Sequence, residues 1–147
     1  MTPAAILTAL KAALVASSDL SYVDDSYIFI GKRGNVANFP AIVLEPGPDK
    51  IVKQVYPDEE RVQVILVGGA IKVYDEDKQL VGDVNVKGVA DFMNDVKKAL
   101  SADHTLGGAC INLTVGDGQY DSGEDYPLRG FQISVEVLYR QNRLTRA

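Results

Sequence analysis

The chain has 147 residues, 46% of them hydrophobic and 24% charged; that is the length and make-up of one globular domain, and it argues against wholesale disorder. Its net charge of −5 argues against the broad basic face needed to clamp a nucleic-acid backbone. The single cysteine, Cys110, cannot staple its own chain, and no apolar run approaches the ~20 residues that span a bilayer.

A domain of this size buries roughly two-thirds of its unfolded surface, so the core needs no disulfide or metal. The N-terminus lacks a charged leader, and Lys11 interrupts its apolar stretch, so it does not read as a signal peptide. The composition therefore predicts a soluble protein of a reducing, intracellular compartment. Asn112-Leu113-Thr114 matches a glycosylation acceptor that such a protein does not use.

Thr2 followed by Pro3 reads as an N-cap with proline at the first helical position. Ile6, Leu7, Leu10 and Leu14 then recur at helical spacing and predict a helix over 3–16, ended by Ser17-Ser18-Asp19. Tyr27 to Ile30 is a short β-rich run, and Gly31-Lys32-Arg33-Gly34-Asn35 after it predicts a hairpin turn. Phe39 to Glu45 is a second strand with Pro40 near its start, closed by Pro46-Gly47-Pro48-Asp49. Ile51 to Tyr56 is a further candidate strand, and the stretch near 46–60 reads as an extended loop or long turn.

Arg61 to Tyr74 alternates as a long strand, with Gly68-Gly69 predicting a bulge or bend at its middle. Asp75-Glu76-Asp77-Lys78 reads as a polar turn. A second helix is predicted over 86–101, capped by Asn85. Val86, Val89, Met93, Val96 and Leu100 fall on one face, and Lys87, Asp91, Asn94, Asp95 and Lys98 on the other. Gly107-Gly108 marks its exit. Cys110 to Val115 alternates, 116–127 is a Gly- and Asp-rich loop, and Phe131 to Arg140 is a half-buried strand. Helix, strands, helix, two strands predicts a single α+β domain over 1–147. Its sheet is mixed but mostly antiparallel, with two helices packed on one face.

The search for chemistry yields little. Cys110 and His104 are the one conceivable nucleophile–base pair, but neither residue sits where a thiolate is stabilised. One His and one Cys cannot complete a tetrahedral zinc site, and the oxygen-rich run from Asp117 to Asp125 fails the EF-hand spacing. No phosphate-cradling Gly-Lys-Ser/Thr run is present. No catalytic residue, metal ligand or cofactor is expected, and no enzyme. Two charged segments stand out instead: Arg140, Arg143 and Arg146 at the C-terminus, and Asp117, Asp121, Glu124 and Asp125 in a loop with no compensating base. They read either as solvated segments of opposite sign or as complementary patches between subunits of a head-to-tail ring.

Several stretches together resemble the tail terminator, or tail completion, proteins of long-tailed bacteriophages. They are the helix opening Thr2-Pro3-Ala4-Ala5-Ile6-Leu7 and the strand Phe39-Pro40-Ala41-Ile42-Val43. The run Phe92 to Leu100 leading into Asp103-His104-Thr105-Leu106-Gly107-Gly108 is a third, and the closing strand Gly130 to Arg140 a fourth. Each is unspecific alone; their order and spacing carry the likeness over most of the chain. The resemblance implies a homo-oligomeric ring, commonly a hexamer, on the head-proximal end of the tail tube. Such a ring is assembled in the host bacterial cytoplasm and carried in the virion. It stops tube polymerisation and offers a surface to head-completion or neck proteins, while DNA passes through without sequence-specific binding. The loops near 46–60 and 116–127 would then project toward lumen, tube or head. Two alternatives share these features: a head–tail connector or neck adaptor ring, and a small ligand-binding or enzymatic domain with a cleft near Tyr120 and Tyr126.

Overall fold

Helix α1 (Pro3–Ala16) begins where Thr2 and Pro3 set it, and Thr2 Oγ1 accepts a hydrogen bond from Ala5 N at 3.2 Å. The computed structural model describes residues 2–31 and 38–147. Two short 3₁₀ turns, Ser18–Leu20 and Asp25–Tyr27, lead from α1 into β1 (Ile28–Ile30). Four longer strands follow: β2 (Ala41–Val55), β3 (Asp58–Lys72), β4 (Asn112–Tyr120) and β5 (Leu128–Asn142). Helices α2 (Glu76–Leu80) and α3 (Val89–Ser101) lie between β3 and β4.

The sheet order is β1-β2-β3-β5-β4, and only the β1–β2 pair is parallel. The fold is α+β, with a mostly antiparallel sheet and α1 and α3 against one face. Ile6, Leu10 and Leu14 of α1 are fully buried, as are Phe92, Val96 and Leu100 of α3. They pack in one core with Ile42, Leu44, Ile65, Val67, Ile133, Val135 and Val137 of the sheet. Burying each such side chain stabilises the fold by about 1.5–3 kcal/mol. Val62, Val64 and Leu66, which point away from the helices, are only half-buried.

Several expectations need correction. Residues 27–30 and 39–45 do not form a hairpin, because Ile28 pairs with Ile42 and Ile30 with Leu44 in parallel. The link between them runs from Gly31 through Pro40, longer than a tight hairpin allows. Most of the predicted turn, 32–37, lies outside the described residues. Pro46-Gly47-Pro48 does not end β2; a register shift between Pro46 and Asp49 lets the strand continue to Val55. Beyond Leu44 no strand flanks the outer edge of β2 among the described residues, so prolines there cost no ladder bond. The stretch near 46–60 is therefore most of a β-hairpin, turning at Tyr56-Pro57, and not an extended loop.

Gly68-Gly69 makes no bulge: the pairing of β3 with β5 runs unbroken from Asp58↔Asn142 to Lys72↔Leu128. Asp75 is a cap, not part of a turn. Its carboxylate accepts from Asp77 N and Lys78 N and starts α2. Helix α3 starts at Val89, three residues later than predicted. Asp83 Oδ1, rather than Asn85, takes the backbone N–H groups of Asn85 and Val86, and Gly88 is the N-cap. Asp95 faces inward; its Oδ2 accepts from Tyr22 Oη at 2.7 Å and lies 3.1 Å from Lys87 Nζ. Of the 116–127 loop, residues 116–120 belong to β4, with a register shift between Val115 and Gly118. Gly118 allows the strand to run close beneath α3, since a Cβ there would stand 2.9 Å from Met93 Sδ.

Candidate assembly surface

Beyond the helices, β2 and β3 form an arm whose residues 48–57 are all exposed. Ile51, Val52, Val55 and Tyr56 all stand in solvent, Tyr56 at 70% exposure. Toward the tip of the arm the helix-side face of β3 turns polar. Glu59, Arg61 and Gln63 continue the row of Ile65, Val67 and Ile71, and Glu59 is only 3% exposed.

A buried carboxylate is costly unless it is paired and hydrogen-bonded. Glu59 is met from two directions. Arg61 Nη1 donates to its Oε1 at 3.0 Å, and Arg146 Nη1 bonds the same oxygen. Arg143 Nε stands 3.9 Å from Oε2. Burial pushes the Glu59 carboxyl up, but the bonds and charges of Arg61 and Arg146 outweigh it and hold the group below the usual carboxylate range. Arg61 also reaches Asp49 through Nε at 3.1 Å, and Tyr139 Oη donates to Asp49 Oδ1 at 3.2 Å. That bond to Asp49, ahead of the opposing effect of burial and the help of Glu59, raises the Arg61 guanidinium above its ordinary value. Burial, then the Asp49 charge, pushes the Tyr139 phenol up.

The C-terminal segment is folded into this network. Arg143 N donates to Pro57 O, Arg146 N to Asn142 O, and Gln141 Nε2 to Arg146 O, each at 2.8 Å. On the open face of the sheet, Arg140 Nη2 donates to Glu60 Oε1 at 3.0 Å, as their cross-strand register requires. Arg140, Arg143 and Arg146 thus all meet Glu59 or Glu60 of their own chain.

Asp121, Glu124 and Asp125 lie at the other end of β5, whereas Asp117 sits at the register shift of β4, opposite the middle of β5. Asp121 is spent on its own turn, accepting from Gly123 N at 3.0 Å and Gly130 N at 2.7 Å. The expectation that this segment has no compensating base needs correction, because Arg129 Nε lies 3.0 Å from Asp121 Oδ1. Its neighbours Asp117, Glu124 and Asp125 are exposed. Arg140 lies eleven residues along the strand from Arg129, about 36 Å at ~3.3 Å per residue. The 121–125 turn and the C-terminal arginines therefore occupy opposite ends of one strand, and no ion pair joins them among the described residues.

Cys110 and His104 come together through the wrong atoms for nucleophile activation. The Cys110 thiol points at the His104 carbonyl oxygen, 3.6 Å away, and not at its imidazole. Burial, then the charge of Asp103, pushes that thiol up. No group of three His, Cys, Asp or Glu side chains suited to a metal ion occurs among the described residues. Among the same residues no helix is long and apolar enough to cross a membrane. Tyr120 lines a recess of about 280 Å³ on β4–β5, but Tyr126 does not; its ring packs edge-on against Tyr74.

The sequence reading missed Asp49, Glu59, Arg61 and Tyr139 as a unit. A signal was present: the period of two that puts Ile65 and Val67 inward also puts Glu59, Arg61 and Gln63 inward.

The architecture defines a class, a five-stranded, mostly antiparallel sheet covered on one face by α1 and α3. It is similar to that of a chain in the virion of a native gene transfer agent particle, with a TM-score of 0.56 at 11% identity. The likeness covers 93% of this chain and 96% of that one, and at such identity it is a likeness of fold. The sequence matches no protein-family model, and no curated protein matches it.

Proposed function

We propose that this chain is a structural protein of a phage-like virion that works by assembly and not by catalysis. The observation that carries the reading is the end-to-end similarity of fold to a chain of the gene transfer agent virion. Within that class we assign it the role of a tail terminator. It forms a hexameric ring on the head-proximal end of the tail tube, stops tube growth and presents a joining surface to head-completion or neck proteins. DNA passes through the lumen without sequence-specific contact.

Two features of the chain support a closed ring. A head-to-tail ring needs two different patches on each subunit, and β5 carries arginines at one end and an acidic turn at the other. The outer edge of β2 beyond Leu44 also leaves backbone groups with no flanking strand among the described residues. In the assembled ring Arg140, Arg143 and Arg146 lie near Asp117, Asp121, Glu124 and Asp125 of the next subunit. The in-chain pairs with Glu59 and Glu60 hold the arginine end in shape for that contact.

The test is light scattering on a sizing column across protein concentration, with negative-stain images of the largest species. Closed rings of one size, with a hole wide enough for duplex DNA, are the expected result. Capture by tail-tube ends distinguishes the terminator from a neck adaptor, which would bind portal or adaptor rings alone. A monomer at every concentration that also ignores tube ends would overturn the reading.

A further inference from the structure

Although the C-terminal segment bonds the turn at Pro57, the apolar side chains at the end of the arm stay exposed. Val52 and Val55 are 57% and 54% exposed and Tyr56 70%, so only another molecule can bury them. Between the helices, α1 and the C-terminal end of α3 bound a groove of about 590 Å³. Its walls are Ala9, Ala12, Ala13 and Ala16 from α1, Ala99 from α3 and Ala102 at the C-cap of α3. Asp19 and Asp103 stand at its rim, both exposed. The volume is of the size that receives several side chains at once. The arm carries Lys50 and Lys53 beside its apolar tip, both exposed and neither in an ion pair among the described residues.

We infer that the arm tip of one copy seats in the α1–α3 groove of a second copy, with Val52, Val55 and Tyr56 against the alanine walls and Lys50 and Lys53 beside Asp19 and Asp103. Apolar surface meets apolar surface and cations meet carboxylates, so one contact satisfies both. The two surfaces are different parts of the same chain, and such a contact is heterologous: each copy offers one arm and one groove. Small groove residues let a strand end approach the helix backbones closely, where larger side chains would fill the space. This rests on the self-assembly reading above and adds an arm–groove contact to the charged one proposed there.

Mixed variants, each with one added cysteine, test it in the full-length chain. Val55→Cys and Ala12→Cys are made separately; native Cys110 is buried and stays unlabelled under mild oxidation. Oxidation of the mixture is expected to give a disulfide-linked pair that neither variant gives alone. In parallel, Ala12→Trp should fill the groove and raise the concentration for half-assembly at least about tenfold, as loss of an anchor pocket does. Circular dichroism checks that each variant keeps its fold. Assembly of the native chain with no cross-link and no effect of Ala12→Trp overturns the arm–groove contact and leaves the ring standing. Cross-linked copies that form chains but never closed rings keep the contact and remove the ring. Absence of both assembly and cross-link removes both.

Discussion

The Phe131 ring stands where a side chain on Gly69 would be: a Cβ at Gly69 would lie 2.5 Å from Phe131 Cε1 and Cζ. Phe131 is held there by an edge-to-face contact with buried Phe92, ring centroids 5.1 Å apart. The ring therefore cannot swing aside without disturbing α3. Gly69→Ala is expected to cost about 1–3 kcal/mol through overpacking. Gly68→Ala should be near neutral, since its nearest neighbours are backbone oxygens at 3.7 and 3.9 Å. Urea denaturation of the two variants checks this, and equal midpoints would show that the glycine pair has another purpose.

Gln79 does for the end of the sheet what Phe131 does for its middle. Its side-chain amide is buried and donates to Val73 O at 2.7 Å and Pro127 O at 3.0 Å, tying α2 to the end of β3 and the start of β5. Gln79→Leu keeps the bulk and removes both bonds. Leaving buried acceptors short of a donor costs about 1–3 kcal/mol. Hydrogen exchange should show the loss first at Glu76–Leu80; uniform loosening of the whole chain would place the role of Gln79 elsewhere.

What the sequence made legible follows from how local each cause is. The α1 boundaries rest on Thr2 and Pro3, one helical turn of information, and α1 forms as predicted. The alternation of Phe131 to Tyr139 is likewise a local signal, and β5 contains it. Failures occur where a distant partner decides. Gly69 is in a smooth strand because Phe131 fills its space, not because the chain bends. Pro46 and Pro48 look like a stop until the open edge of β2 is known. Asp95 reads as a surface residue until Tyr22, 73 positions away, donates to it. At the candidate surface the charges were visible in the sequence, but their pairing with Glu59 and Glu60 was not, because it depends on the β3–β5 register.

The Glu59 network makes the C-terminal segment sensitive to acid. Its folded-state value lies below the ordinary 4.5, so the stabilisation is fully present above that value and is lost as the pH falls through the folded one. Lowering pH from neutral toward 3 should release 143–147 from Pro57 and Asn142, read as new protease cleavage at Arg143 and Arg146. Asp24, Asp83 and Asp103 are also lowered, each mainly by bonds within its own turn, so the whole fold weakens in the same window. Glu59→Gln isolates the one group: cleavage in this variant should be raised already at neutral pH and change less with acid. Superimposable pH profiles for the two proteins would show that the segment is held by its backbone bonds instead.

Arg140 has two candidate roles, and a charge swap separates them. Within the chain it pairs with Glu60 on the open face, an exposed pair worth about 0.2–1 kcal/mol. Arg140→Glu should therefore leave the fold intact. If Arg140 also meets the acidic turn of the next subunit, the same change should raise the concentration for half-assembly by about tenfold, the equivalent of 1.4 kcal/mol. The double variant Arg140→Glu with Glu60→Arg restores the internal pair. Recovery of assembly in the double variant would confine Arg140 to its own chain. Continued weakness, relieved in turn by Asp125→Lys, would put the acidic turn of a neighbour beside it. Light scattering reads all three variants on one scale, and an unchanged Arg140→Glu would remove the C-terminal arginines from the contact.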